Sequence, residues 1–234
     1  MGLCLFATNS TLVSQLVLSL IGARTKGEIS LRTFVALRKS LRDWSELYAL
    51  SETILTACLN GVTYPERKAA QLRQALWTIH DRLGSLCLDF LQDWPGEDAQ
   101  AWLRKLPGVG PKVSAAVLNF STLRKRVLVV DCHHFRVAKR LEFLRANTPF
   151  TAAQRVLMNQ HVPNDWAADD LDDHHRLMKL HGQTLCFHKG PLCWQCPLQD
   201  ICPTGRDRRI VQDSYDCPDE AYGSDERFEK GQLG

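Results

Sequence analysis

The sequence predicts an all-α protein in which helix packs on helix. Apolar residues recur at i, i+3, i+4 and i+7 along much of the chain, as at Leu72, Ala75, Leu76 and Ile79. Only residues 127–130, a Val-Leu-Val-Val run, read as a strand, and they suit an extended buried connector equally well. There is no internal repeat and no low-complexity segment. The predicted helices are Ser10–Ile21, Leu31–Leu41, Trp44–Leu59, Glu66–Leu86, Glu97–Lys105, Lys112–Phe120, His133–Leu141, Thr151–Met158 and Leu171–His181. Trp94-Pro95-Gly96 breaks the chain, and Asp98 helps start the helix that follows. With so little strand, helix-on-helix layers are the expected way to bury the apolar faces.

At 234 residues the chain suits one large or two small domains. Apolar content of 44% and charged content of 24% are ordinary for a soluble protein. The most apolar early stretch, Leu12 to Ala23, is too short to span a membrane, and no basic segment precedes it as in a signal peptide. Phe6 stands where a myristoylation site needs Ser or Thr. The expected compartment is therefore the reducing cytoplasm, on the nucleoid if the cell is bacterial, with no membrane partner and a monomer as the default state. Net charge is +3, but residues 213–234 carry −5 and the first 212 carry +8. A basic body suits a polyanion such as nucleic acid. The acidic tail lacks helical periodicity and is expected to be disordered.

Four of the nine cysteines, Cys186, Cys193, Cys196 and Cys202, are spaced C-x6-C-x2-C-x5-C. Without a secretory signal, four thiols this close suggest a metal or cluster site rather than disulfides. The spacing alone admits zinc or an iron–sulfur cluster. Cys4, Cys58, Cys87, Cys132 and Cys217 share no ligand spacing; Cys58 and Cys87 sit in apolar helical surroundings and are expected in the core.

Residues 103–112, LRKLPGVGPK, read as a helix end, a turn with two glycines, and a new helix with Pro111 in its first turn. Gly108 and Gly110 can take backbone conformations closed to other residues. They also allow a phosphate oxygen to approach backbone N–H groups at a helix N-terminus, where the dipole favours an anion. Such contacts hold DNA without reading its sequence. A Gly-x-Gly turn alone would read as an ordinary helix–helix connection; the whole LPGVGxK string favours the DNA hairpin.

That string resembles the helix-hairpin-helix of base-excision DNA glycosylases of the endonuclease III branch. The resemblance continues through VLNF (117–120), VDCHHFRV with Asp131, DHHRLMKLHG (173–182) and the four-cysteine loop. It is dense from Leu103 to Pro203 and sparse before. It implies a two-lobed DNA glycosylase fold, with a helical barrel over residues 9–124 and an iron–sulfur domain over 125–212. Double-stranded DNA bearing a damaged base or abasic site would lie in the cleft between them. It implies Lys112 as nucleophile, since the lysine after the hairpin attacks the sugar C1′ and leaves a Schiff base. The positive field at a helix N-terminus favours a neutral amine. Family members that only remove the base carry another residue there, so the expected activity is a bifunctional glycosylase and AP (β-)lyase acting on an oxidised pyrimidine. Phosphate contact is the plainer role for the same lysine. Asp131 matches the family's essential aspartate, which stabilises positive charge on the sugar and helps deprotonate the lysine; capping the next helix is its plainer role. His133 aligns with a family histidine and is expected to be structural. The four cysteines would hold a [4Fe–4S] cluster that braces a loop presenting Lys189 to DNA. Backbone contacts would come from Leu106, Pro107, Gly108, Val109 and Gly110.

The first 70 residues depart from the family. Its S-A-Q-x-T-D segment is here Ile21-Gly22-Ala23-Arg24-Thr25-Lys26, which loses the gap-filling glutamine and puts a lysine where an acid stands. Opening a duplex costs a few kcal/mol, which wedge and pocket contacts must offset. Arg24 is the candidate wedge or lesion reader, with a second loop at Gly61–Pro65. About nine residues precede the first predicted helix, where the family usually supplies an extra helix, and the segment after Cys202 is expected to cover that surface instead. The rival readings are a same-fold glycosylase for uracil, a mismatch or an alkylated base, a non-catalytic iron–sulfur DNA-binding protein, and a redox sensor on DNA.

Overall fold

The computed structural model describes residues 11–206. The acidic tail, Cys4, Cys217, the start of the first predicted helix and the segment expected to cover the cluster domain lie wholly or mostly outside that range. Among the described residues every regular element is helical, in two compact units: residues 11–129 with 165–172, and residues 130–164 with 173–206.

The first unit is built around α1 (Leu12–Gly22). Thr11 caps it, accepting from the Ser14 amide. Leu12, Leu16, Val17, Leu20 and Ile21 are buried, so the most apolar stretch of the sequence is a central helix. α2 (Gly27–Ser40), α5 (Pro65–Leu83) and α7 (Pro111–Phe120) pack on it; α3 (Ser45–Ala49) and α4 (Glu52–Cys58) pack on α5, and α6 (Gly96–Leu103) on α7. Each fully buried leucine in this core contributes roughly 1.5–3 kcal/mol. Trp44 is held by its ring nitrogen, which donates to Ser14 Oγ at 3.0 Å, and by Phe34 at 5.5 Å. Gly84, at φ +70°, ends α5 by donating to the His80 carbonyl.

Two expectations are corrected, and for residues 127–130 one of the two readings holds. The single helix expected over Trp44–Leu59 is two, because the extended backbone of Leu50 and Ser51 ends α3 and Ser51 caps α4 at the Ile54 amide. Cys58 is exposed and Cys87 only half-buried, in an irregular segment after Gly84. Apolar neighbours in sequence do not decide which face of a short helix turns inward. Residues 127–130 form no strand; they are a buried, extended connector. Lys125 anchors its entry by donating to the Gln92 and Trp94 carbonyls. No helix among the described residues is long and apolar enough to cross a membrane.

The second unit holds α8 (Cys132–Arg140), α9 (Phe150–Gln160), most of α10 (Ala168–Thr184, which begins in the first unit) and α11 (Pro203–Arg206). Phe135 meets Phe150 edge to face at 5.3 Å, and Val137, Ala138, Leu144, Ala153 and Leu157 are buried. Gly182 on α10 lies against α8 so closely that a Cβ there would stand 2.8 Å from His133 Cβ.

Candidate functional site

In the first unit the hairpin is anchored from inside. Leu103, Leu106, Val109 and Val113 are buried, and the Val109 amide closes the turn on the Leu106 carbonyl at 3.1 Å. Leu106 and Val109 are therefore core side chains, and Pro107, Gly108 and Gly110 are the more accessible part of the turn. Gly108 has φ +75°, whereas Gly110 at φ −97° is in a conformation any residue adopts. The need for glycine at 108 is also steric: a Cβ would lie 2.9 Å from the Gln71 carboxamide and 3.1 Å from Leu20 Cδ2. Gly108→Ala should cost about 1–2 kcal/mol, since backbone strain adds to a clash that the flexible Gln71 partly relieves. Chemical denaturation would measure this, and a stability equal to wild type would contradict the close packing.

Pro111 opens α7, and no side chain caps it, so its first amides remain available to an anion. Lys112 is the second residue of α7 and half-buried. Among the described residues no hydrogen bond or ion pair engages its Nζ.

Two loops of the same unit join at their backbones. The Thr63 hydroxyl donates to the Arg24 carbonyl, and the Thr63 amide donates to Thr25 Oγ1, both at 3.1 Å. Arg24 (φ +57°) and Tyr64 (φ +55°) are both left-handed and exposed. Left-handed non-glycine residues cost roughly 1–3 kcal/mol each, and such strain gathers at functional sites. Val62, in the second loop, is buried, which leaves Tyr64 as that loop's exposed large side chain.

Lys68 was not anticipated from the sequence. It is only 4% exposed, and its ammonium donates to the Ile21 carbonyl at 2.8 Å, to the Ala23 carbonyl and to Thr25 Oγ1 at 2.8 Å. Burial, with the like charges of Lys112 and Arg24, pushes its pKa down to about 8. One signal was legible: Lys68, Leu72, Ala75 and Ile79 share the buried stripe of α5, and a lysine there needs acceptors inside. An unfolded lysine keeps its proton to the ordinary 10.5, whereas folded Lys68 releases it near 8. Between these values the unfolded chain binds more protons, so stability rises with pH across this window. The thermal midpoint of wild type should accordingly gain on that of Lys68→Gln from pH 8 upward; parallel curves would show that Lys68 titrates as a free lysine.

In the second unit Asp131 is 5% exposed and caps α8, its Oδ1 accepting from the His134 amide at 2.8 Å. The plainer expectation for this residue is thus met, and its carboxylate is held in place. His133 Nδ1 lies 3.2 Å from Arg136 Nη2, consistent with a structural role.

Cys186, Cys193, Cys196 and Cys202 all line one cavity, with Arg140, His181, Leu185 and Leu192. Burial raises the Cys193 thiol, and the other three thiols raise it further. Burial likewise raises Cys196, opposed by the Leu198 amide that donates to its sulfur. Thiols that hinder one another's ionisation are a donor set for positive charge. Among the described residues no three Cys, His, Asp or Glu side chains form the ligand group of one metal ion. Two buried arginines of α8, also unforeseen, organise the loop. Arg140 donates to Cys186 Sγ at 3.2 Å and to the Phe187 and His188 carbonyls at 2.6 and 3.0 Å. Arg136 donates to the Gly182 and Cys186 carbonyls at 2.8 and 2.9 Å. These contacts leave Lys189 exposed beside Gly190, at φ +64°.

The helical architecture that carries the Gly-x-Gly hairpin, the helix-borne lysine and the four-thiol loop is the fold seen in helix-hairpin-helix DNA glycosylases. The trapped covalent endonuclease III–DNA intermediate has the same fold, with a TM-score of 0.72 over 86% of this chain and 87% of that one, at 22% identity. No protein-family model matches. The chain is 26% identical over 194 residues to endonuclease III-like protein 1 of Gallus gallus, covering 82% of this chain and 64% of the relative. It is 37% identical over 100 residues to endonuclease III of Rickettsia felis, covering 43% of this chain and 44% of the relative. The chain is a homologue of endonuclease III and the endonuclease III-like proteins, and these matches span less than two thirds of the relatives' own length.

Proposed function

We propose that the protein is a base-excision DNA glycosylase with AP lyase activity that removes an oxidised pyrimidine through a Schiff base on Lys112. The observation that carries this reading is the place of Lys112, second in the helix that follows the hairpin. Hairpin amides and the helix N-terminus hold the phosphate backbone, setting register without reading bases. Nζ then forms a bond to C1′ as the glycosidic bond breaks, and the base leaves with the bonding electrons. Opening of the sugar gives the imine, loss of a C2′ proton follows, and the C3′–O bond breaks. Asp131 supplies negative charge for the positive sugar, and the proton that Nζ loses leaves with the expelled base. Arg24 fills or reads the gap left by the extruded base, and Lys189 adds positive charge toward DNA. The protein acts as a monomer on duplex DNA in the cytoplasm.

The four cysteines fit a [4Fe–4S] cluster. Four thiols line one cavity, and four thiolates are the ordinary donor set of such a cluster. Such a cluster would offset part of the thiolates' negative charge and hold the loop closed.

A second reading, a same-fold glycosylase for another lesion, is favoured by the loop after α1, where Ala23 or Arg24 stands in place of a glutamine and Lys26 in place of an acid. Incubation with duplexes carrying an oxidised pyrimidine, uracil, a mismatch or an alkylated base decides between them. Release of the oxidised pyrimidine with strand nicking supports the first; release of another base alone supports the second. Release from none of them would leave only a binding protein.

A further inference from the structure

Lys68 belongs to none of the motifs above, yet it sits where they meet. Its acceptors are the last carbonyls of α1 and the hydroxyl of the loop that follows. Helix carbonyl ends lack internal partners and carry negative charge, so a cation is favoured there. One turn further along α5, Gln71 packs on Gly108 of the hairpin, as does Leu20, the residue before Ile21. The end of α1, the start of α5 and the hairpin therefore converge, and Lys112 follows the hairpin directly.

All three ammonium hydrogens of Lys68 have acceptors, so it is satisfied as a cation and offers no lone pair to a substrate. No carboxylate pairs with it among the described residues. The charged groups that face it are Lys112, from α7, and Arg24, from the loop after α1, both cations. A buried cation with like neighbours raises the cost of a further charge beside it.

We propose that Lys68 is a positioning residue for the reaction: it clamps the carbonyl end of α1, so that Arg24 is displayed from a fixed left-handed turn, and it faces Lys112 with like charge that favours the neutral, nucleophilic amine. This rests on the assignment of Lys112 as the Schiff-base nucleophile.

The test is borohydride trapping on a duplex with a preformed abasic site, as a function of pH, for wild type, Lys68→Gln, Lys68→Arg and Lys112→Ala. Lys68→Gln keeps an amide donor for the α1 carbonyls but no charge, and its half-maximal trapping pH should rise by about half a unit to one unit. Lys68→Arg should return the midpoint toward wild type. A clamp with structural work only would lower thermal stability in both variants and leave both midpoints unmoved, which overturns the proposal. Trapping absent in wild type, or surviving in Lys112→Ala, overturns the nucleophile assignment itself, and the proposal with it. Should Lys68→Gln not fold, lysine side-chain NMR of wild type supplies the answer, with the Lys112 signal assigned by Lys112→Ala. The Lys112 signal should show an inflection as Lys68 titrates near pH 8, and a single-step titration blind to Lys68 overturns the coupling.

Discussion

Lys112→Ala should abolish covalent trapping on abasic DNA and lower strand nicking by on the order of 10^3-fold or more, because no other group replaces the bond-forming nitrogen. Folding should be almost untouched. Lys112 is half-buried at the second position of α7, and no hydrogen bond or ion pair among the described residues is lost with it. Replacements of this kind usually change stability by no more than about 0.5 kcal/mol. DNA affinity should fall only slightly, because the proposed hairpin contacts run through backbone amides that the substitution leaves in place. Gel mobility and trapping on one duplex separate the two roles: loss of adduct with binding retained is the signature of the nucleophile. Equal loss of both would return Lys112 to phosphate contact. Nicking that persists without an adduct would place the chemistry on another residue.

If the four cysteines hold the proposed cluster, Cys196→Ala should abolish its binding and unfold the second unit while the first stays folded. Cys196 lines the same cavity as the other three thiols and accepts the Leu198 amide at 3.4 Å, so its loss opens both the donor set and the turn around it. Structural metal sites contribute on the order of 10 kcal/mol to folding, comparable to the whole stability of a small domain. Arg140 and Arg136 would then donate to carbonyls of a loop that no longer has a centre. Iron and sulfide analysis, visible absorbance and limited proteolysis measure this. Iron and labile sulfide in wild type, lost in the variant together with protease resistance of residues 130–206, is the expected result. Zinc without sulfide would revise the cofactor to the alternative the spacing always allowed. A stable, fully loaded variant would remove Cys196 from the ligand set.

Both predictions rest on features legible in the sequence. The hairpin, Lys112, Asp131 and the four cysteines could be read directly, because each is a local pattern. Glycine at a positive φ, proline in the first turn, an aspartate before a helix and thiols a few residues apart are dictated by neighbouring chain. The helical class followed likewise from periodicity in long segments such as α5. Short segments were less readable: Leu50-Ser51 broke one expected helix into two, and Cys58 turned outward.

Sequence by itself thus determined the helical class, the place of the lysine that follows the hairpin, the aspartate that caps α8 and the grouping of the four cysteines in one loop. Only the tertiary structure decided where the remaining cations go. Lys68 reads as one more lysine of a charged helix until its stripe is laid against the carbonyl end of α1. Arg136 and Arg140 read as surface charge until the backbone from Gly182 to His188 wraps over them. The reason is physical: a long cationic side chain is buried only where several backbone carbonyls converge, and that convergence comes from segments distant in the chain.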